Sequence, residues 1–293
     1  MWMPPLYRDF TTQAQIDAQY GAQQWGLNMA TEAQHFVERS RRARESLRCT
    51  LDQPFGATLD ETLDIFPADQ SGAPVFVFVH GGYWRANTSK EFSCVALGLQ
   101  PLGITTVVVN YSLCPKVTLE EITRQVRAAV AWVFRHVERH GGDPDRVALG
   151  GHSAGAHLTA MALQTRWAEE YGLAQDPLAA AVLVSGIYDL EPLRHSWLQP
   201  RIQLDDGIVL RNSPIRRLRP CATPSLISWG AAESDEFRRQ SSAFHGAWQA
   251  KGNLSELAPQ EDCHHFSAIH GFEDPSSHLC QWLACALRRR VTP

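Results

Sequence analysis

Between Val147 and Ala160 the sequence reads VALGGHSAGAHLTA, and its centre, Gly151-His152-Ser153-Ala154-Gly155, sets one serine between two glycines. An apolar, strand-like run stops just before it and a helical pattern starts just after it. Glycines at those places permit a sharp turn and a close approach of helix to strand. The serine hydroxyl can then be held exposed on a strained backbone. The turn also aims the first helical N–H groups, that of Ala154 foremost, at any negative oxygen that forms beside Ser153. The chemistry this allows is nucleophilic attack on a carbonyl. A serine hydroxyl is a weak nucleophile near neutral pH, so it needs a base, and the base needs a carboxylate to orient it.

Three other stretches supply the remaining parts. In VFVFVHGGYW, residues 75–84, two glycines follow an apolar run, and Gly81 and Gly82 free backbone N–H groups to face a ligand oxygen, with Tyr83 as a further candidate. His80 is read as shaping that loop rather than as a base. The base is sought near the end of the chain, in EDCHHFSAIHGF, where His264, His265 and His270 compete. His265 is preferred, because it precedes an aromatic residue on a loop that follows the last strand-like run. The acid is expected after the strand-like SLISW, in GAAESDEF. Glu233 lies soon after the turn glycine and is preferred; Asp235, which suits a helix cap, and Asp189 in SGIYDL stay open.

The elements that must position these residues are legible as alternating runs. APVFVFVH and ITTVVVNY are near-continuous β-formers, as in strands buried on both faces of a parallel sheet. TLDETLDIF reads as an outer strand; RVALGG, LAAAVLVSG, PSLISWG and LSELAPQ read as later ones. Between them SKEFSCVALGLQPLG reads as a crossover helix. Thr118 and Glu121 cap a long amphipathic helix through about His140. EFRRQSSAFHGAWQAKG and SSHLCQWLACALRRR are two further helices. The repeated β-α order predicts an α/β fold, a doubly wound, mostly parallel sheet with helices on both faces, as one domain over residues 1–293. Residues 1–50 read as a peripheral helical extension. There Thr31 and Gln34 form a capping box, Ala33, Phe36, Val37, Ser40 and Leu47 share one face, and Arg39, Arg41, Arg42, Arg44 and Arg48 make a solvated face. Residues 191–220 break the alternation and read as a small lid over the carboxyl edge of the sheet.

Composition sets the outer limits. With 293 residues, 44% hydrophobic and 20% charged, and a net charge of −4, the chain is an ordinary globular one with no electrostatic case for a nucleic-acid partner. No apolar run approaches the roughly 18–20 residues of a membrane span, and MWMPPLYRDF does not read as a secretory leader. Seven cysteines without CxxC spacing read as reduced thiols, and the expected location is cytoplasmic. Cys263, His264, His265, His270, His278 and Cys280 crowd the C-terminal part but match no zinc spacing, so neither metal nor cofactor is expected. The partner expected is a small-molecule substrate, and a homodimer is left open.

Taken together, HGGYW, NYSLCP, GGDPDRVALGGHSAGAHL, WGAAESDEFRRQS and HHF resemble the α/β-hydrolase type of kynurenine formamidase (arylformamidase), close to the hormone-sensitive-lipase-like esterases. The likeness extends to YRDFTTQAQIDAQY near the start. The resemblance implies the α/β-hydrolase fold with Ser153 as nucleophile, His265 as base and Glu233 where the family usually has aspartate. It further implies an oxyanion hole from Gly81, Gly82 and Ala154. Hydrolysis of an aryl formamide, N-formylkynurenine foremost, would then run through a formyl-enzyme. A carboxylesterase or amidase for another small substrate shares every one of these residues; a receptor without turnover and a metal-dependent hydrolase are remoter readings. The leaving side of such a pocket must hold an aromatic ring, for which Tyr83 and Trp84 are candidates. The carboxylate of an amino-acid substrate would want a cation, with Arg194, Arg201 and Arg211 in view.

Overall fold

Strands that are apolar on every residue need cover on both faces, and the computed structural model, which describes residues 4–21 and 25–288, supplies it. Met1–Met3, part of the leader reading, and Arg289 and Arg290, the end of the last expected helix, lie outside the described residues. In chain order the elements are α1 (Gln13–Tyr20), α2 (Met29–Ser46), β1 (Thr50–Pro54), β2 (Thr62–Phe66), β3 (Ala73–Val79), α3 (Ala96–Leu99), β4 (Thr105–Val109) and α4 (Leu119–His136). There follow β5 (Gly142–His152), α5 (Ala154–Leu163), α6 (Trp167–Tyr171), β6 (Ala180–Val184), α7 (Gln199–Ile202) and α8 (Asp206–Asn212). The chain closes with β7 (Ser225–Gly230), α9 (Asp235–Gln249), β8 (Ser255–Gln260) and α10 (His278–Leu287).

The eight strands form one sheet in the order β1-β2-β4-β3-β5-β6-β7-β8. Pairing is antiparallel for β1–β2 and β2–β4 and parallel from β4 to β8. The two-residue period of a strand divides its side chains between two cores. Val75, Val77 and Val79 of β3 join Val126 of α4, Leu158 of α5 and Phe244 of α9 on one face. Phe76 and Phe78 join Phe36 of α2, Leu99 of α3 and Leu283 of α10 on the other. The carboxyl ends of β3, β5, β6, β7 and β8 all open on one edge. The strand order reverses at β3, where such sheets place their ligands.

Several expectations are corrected here. The expected outer strand over residues 58–66 is β2, paired on both sides, because the unforeseen β1 covers its edge. The crossover helix over residues 89–103 is broken into short 3-10 turns around the four-residue α3. A side chain on Gly98 would lie 2.6 Å from the Phe272 carbonyl oxygen, so the chain is packed tightly there. The cap of α2 is Asn28, whose side chain accepts from Ala30 N–H and Thr31 N–H, rather than Thr31. Of the residues read as sharing one face of α2, Phe36 and Ser40 are buried, while Val37 is 52% exposed. Arg39 pairs with Glu273, and Arg44 donates to Ser93 Oγ, so the basic face of α2 is partly engaged rather than wholly solvated. All seven cysteines are unpaired, and no described helix is long and apolar enough to cross a membrane.

Candidate active site

The turn from β5 into α5 is built by exclusion. A Cβ on Gly155 would lie 1.9 Å from the Val79 carbonyl oxygen, and one on Gly151 would lie 2.4 Å from the Gly155 carbonyl carbon. Only glycine lets α5 start this close to the sheet. Between them Ser153 takes φ 56° and ψ −116°, a conformation that costs on the order of 1–3 kcal/mol and must be held from outside. It is held on both sides, because Ser153 N–H donates to the Val184 carbonyl at 2.8 Å and the Ser153 carbonyl accepts from His157 N–H at 3.1 Å. Gly81, on the loop after β3, lies against it, with a Cβ there falling 3.2 Å from Ser153 Cβ. Gly82 has φ 120°, and a Cβ on it would meet the Ala86 carbonyl oxygen at 2.2 Å. Among the described residues, the N–H groups of Gly81, Gly82 and Ala154 donate to no backbone carbonyl outside regular elements. They are free for a ligand oxygen.

Glu233 and His265 come from the loops after β7 and β8. His265 Nδ1 lies 2.7 Å from Glu233 Oε2. The same carboxylate accepts from Gly230 N–H at 2.7 Å and from Ser185 Oγ at 2.5 Å through its other oxygen. Its side chain is fully buried. Three hydrogen-bond partners fix this buried carboxylate in place. Neither competing acid is at this place: Asp235 is 79% exposed and paired with Arg238, and Asp189 is paired with Arg216. His152, inside the serine turn, is buried and held well below its ordinary pKa by that burial and by the neighbouring His265. It is therefore neutral, and its Nε2–H donates to the His265 carbonyl at 2.8 Å, tying the His265 loop to the turn that carries Ser153. Of the other two histidines, His264 faces Glu32 at 3.4 Å, and His270 stacks on His35 at 3.9 Å. His80 is buried between Tyr111 and Phe92, its pKa pushed down to about 4 by burial.

Ser153, His265, Gly81 and Gly82 open into a cavity of about 500 Å³, in the range usual for small-molecule sites. Its wall is largely aromatic and aliphatic: Phe36, Phe92, Tyr83, Trp197 and Phe266, with Met29 and Ala33. Tyr83 lies on that wall, and its hydroxyl donates to the Tyr20 carbonyl at 2.6 Å. Trp84 does not. It is fully buried with its indole N–H donating to His157 Nδ1 at 3.2 Å, so its place is in the core. The expected lid contributes Trp197 alone to the lining. Arg194 pairs with Glu191 and Asp206, Arg211 pairs with Glu120 of α4, and Arg201 is exposed; none of the three lines the cavity.

What the sequence reading missed is the wall made by the first forty residues. Asp17, Gly21, Met29, Glu32, Ala33, Phe36 and Val37 all line the cavity. This stretch is anchored beside Glu233: Ser234 Oγ donates to the Gln19 carbonyl at 2.7 Å, Glu236 N–H to Gln19 Oε1 at 3.1 Å, and Tyr20 hydroxyl to Glu236 at 2.8 Å. The one visible hint was the burial pattern of Ile16 and Tyr20, four residues apart on a short helix. Although no metal was expected, one group of side chains among the described residues has the geometry to hold an ion. His35, His270 and Glu273 bring three ligand atoms within 4.8 Å of one another. Glu273 already receives His35 and Arg39 there, so its charge is compensated within the protein.

Comparison with known proteins places this geometry. A family model described as the alpha/beta hydrolase fold matches residues 76–220, which holds the serine turn and the glycine loop but neither Glu233 nor His265. The kynurenine formamidase of Danio rerio is 30% identical over 282 residues, 92% of this chain and 94% of the relative. That of Salmo salar is 32% identical over 285 residues, with the same shares covered. The chain belongs to the kynurenine formamidase family of α/β-hydrolases. Like its relatives it is a hydrolase. A solved structure from a Silicibacter species, provisionally designated a thioesterase, superposes with a TM-score of 0.81 at 27% identity, over 94% of this chain and 99% of the other.

Proposed function

We propose that the protein hydrolyses an aryl formamide, N-formylkynurenine, to the free arylamine and formate through a Ser153-His265-Glu233 triad. His265 takes the Ser153 proton as Oγ adds to the formyl carbon. The tetrahedral oxyanion is received by the N–H groups of Gly82 and Ala154, with Gly81 beside them, and one such donor is typically worth roughly 3–4 kcal/mol. His265 then protonates the amine nitrogen as the C–N bond breaks, leaving a formyl ester on Ser153. Water, deprotonated by His265, attacks that ester, and formate leaves as Ser153 regains its proton. Glu233 holds the imidazole with its proton on Nδ1 and offsets the imidazolium charge.

The observation that carries the substrate class is the cavity wall: Phe36, Phe92, Tyr83, Trp197 and Phe266 offer ring surfaces to an aromatic leaving group. A formyl group asks for almost no acyl pocket, so a 500 Å³ cavity is left for the amine side. The relatives named above are formamidases, which adds support. The test is turnover of purified protein on N-formylkynurenine beside a short-chain p-nitrophenyl ester, with Ser153→Ala as blank. The expected outcome is a kcat/KM at least tenfold higher for the formamide and loss of both activities in the variant. Turnover of the ester alone would leave a carboxylesterase and sink the formamide assignment.

A further inference from the structure

The cavity carries four charged side chains, and three of them are already spoken for. Asp17 accepts from Trp197 N–H at 2.8 Å and from Gln13 at 3.2 Å. Glu32 faces His264 at 3.4 Å. Glu91 accepts from Thr88 N–H at 2.7 Å and from its hydroxyl at 2.8 Å. Arg85 is different. Among the described residues its guanidinium makes no ion pair and no hydrogen bond, and it lies over the face of Trp197, with Cζ 5.0 Å from the ring centroid. Trp197 adds a second unused donor, since its buried indole N–H has no partner among the described residues.

A guanidinium laid on an indole has its face covered and its edges free, and those edges present a planar fork of N–H donors that matches a carboxylate. Its backbone fixes it to the reacting centre, because Arg85 N–H donates to the Gly82 carbonyl at 3.0 Å in the same tight turn that carries the glycine N–H groups. A substrate with no carboxylate would leave this cation to water. One with a carboxylate on the amine side would complete it.

Resting on the formamidase reading above, we infer that Arg85 binds the carboxylate of the substrate, cushioned by Trp197, and so selects an aryl formamide that carries an amino-acid carboxylate over one that lacks it. Arg85 is then a specificity residue. It takes no part in bond making, and it replaces the ion-paired Arg194 and Arg211 as the cation such a substrate needs.

The experiment compares N-formylkynurenine with the same molecule whose carboxylate is replaced by hydrogen, in the full-length protein and in Arg85→Gln and Arg85→Lys. The wild type is expected to prefer the carboxylate compound by about tenfold in kcat/KM, mainly through KM, the size of one charge-assisted contact on a half-buried site. Arg85→Gln should lose about tenfold more on the carboxylate compound than on its analogue, and Arg85→Lys should recover part of that difference. A wild type that treats the two formamides alike, or an Arg85→Gln variant that slows both equally, overturns the inference while formamidase activity stands. Turnover of neither formamide overturns the formamidase reading and this inference with it.

Discussion

Replacing Glu233 by glutamine changes one oxygen for an NH2 group and removes a charge, and the surroundings decide which way the amide must turn. One carboxylate oxygen receives the Gly230 backbone N–H at 2.7 Å; the other faces His265 Nδ1 at 2.7 Å. The Gly230 donor cannot rotate away. An amide nitrogen on that side would set two buried donors against each other, a mismatch of about 1–3 kcal/mol. The Ser185 hydroxyl can turn to accept, but the backbone cannot. The glutamine therefore directs its NH2 at Nδ1, which must then accept, and the imidazole proton moves to Nε2. In that tautomer His265 cannot take a proton from Ser153. The lost carboxylate charge no longer offsets the imidazolium either. Together these predict a fall in kcat of about 10³–10⁴-fold, the scale known for this change in a Ser-His-Asp triad. The assay is steady-state formamide hydrolysis with Ser153→Ala as the floor and Asp235→Asn as the comparator. Asp235, exposed and paired with Arg238, should change the rate by less than twofold. A Glu233→Gln enzyme with more than a tenth of the wild-type kcat would refute the reasoning.

Gly155→Ala, which sets a methyl 1.9 Å from the Val79 carbonyl oxygen, should cost at least about 3 kcal/mol or prevent folding. Gly246→Ala on α9, with nothing within 4 Å, should be neutral or stabilising by up to about 1 kcal/mol. Equal melting temperatures for the two variants would contradict the steric account of the turn. Stability should also fall in acid before any carboxylate titrates. His80 and His157 are buried with pKa values pushed down to about 4, so the unfolded chain binds their protons first as pH drops below about 6.5. The stability is present above that point and is lost as pH falls toward 4, by about 2 kcal/mol per histidine between pH 7 and pH 5. Urea midpoints that do not move between those two pH values would contradict it.

The sheet was legible because its strands are buried on both faces: runs such as VFVFV leave no other reading. Helix 89–103 was not, since its apolar spacing is that of a helix while the chain there divides into 3-10 turns on either side of α3, the first with its own cap at Thr88. Glu233 and Asp235 read almost alike, being two residues apart at one loop–helix junction. Only the fold separates them, bringing Glu233 to His265 and leaving Asp235 in solvent. Ser185, His152 and Trp197 carried no signal of their own, because each acts through a partner distant in sequence: Glu233, the His265 carbonyl and Arg85. Trp84 was misplaced for the opposite reason. It neighbours Tyr83 in sequence, yet the positive φ of both residues turns the two rings to different places.

Gln19 and Tyr20 join two loops that catalysis would use for different purposes. Tyr20 carbonyl receives the Tyr83 hydroxyl from the glycine loop, while Gln19 and the Tyr20 hydroxyl hold Ser234 and Glu236 around the start of α9, just after Glu233. The segment that lines the cavity is thus also the strut between the glycine loop and the Glu233 loop. Under the proposed function, specificity and rate would not be separable modules in this molecule. A descendant that remodels the first forty residues to admit a new amine must rebuild both anchor points at once, and those that do not will trade turnover for the new substrate.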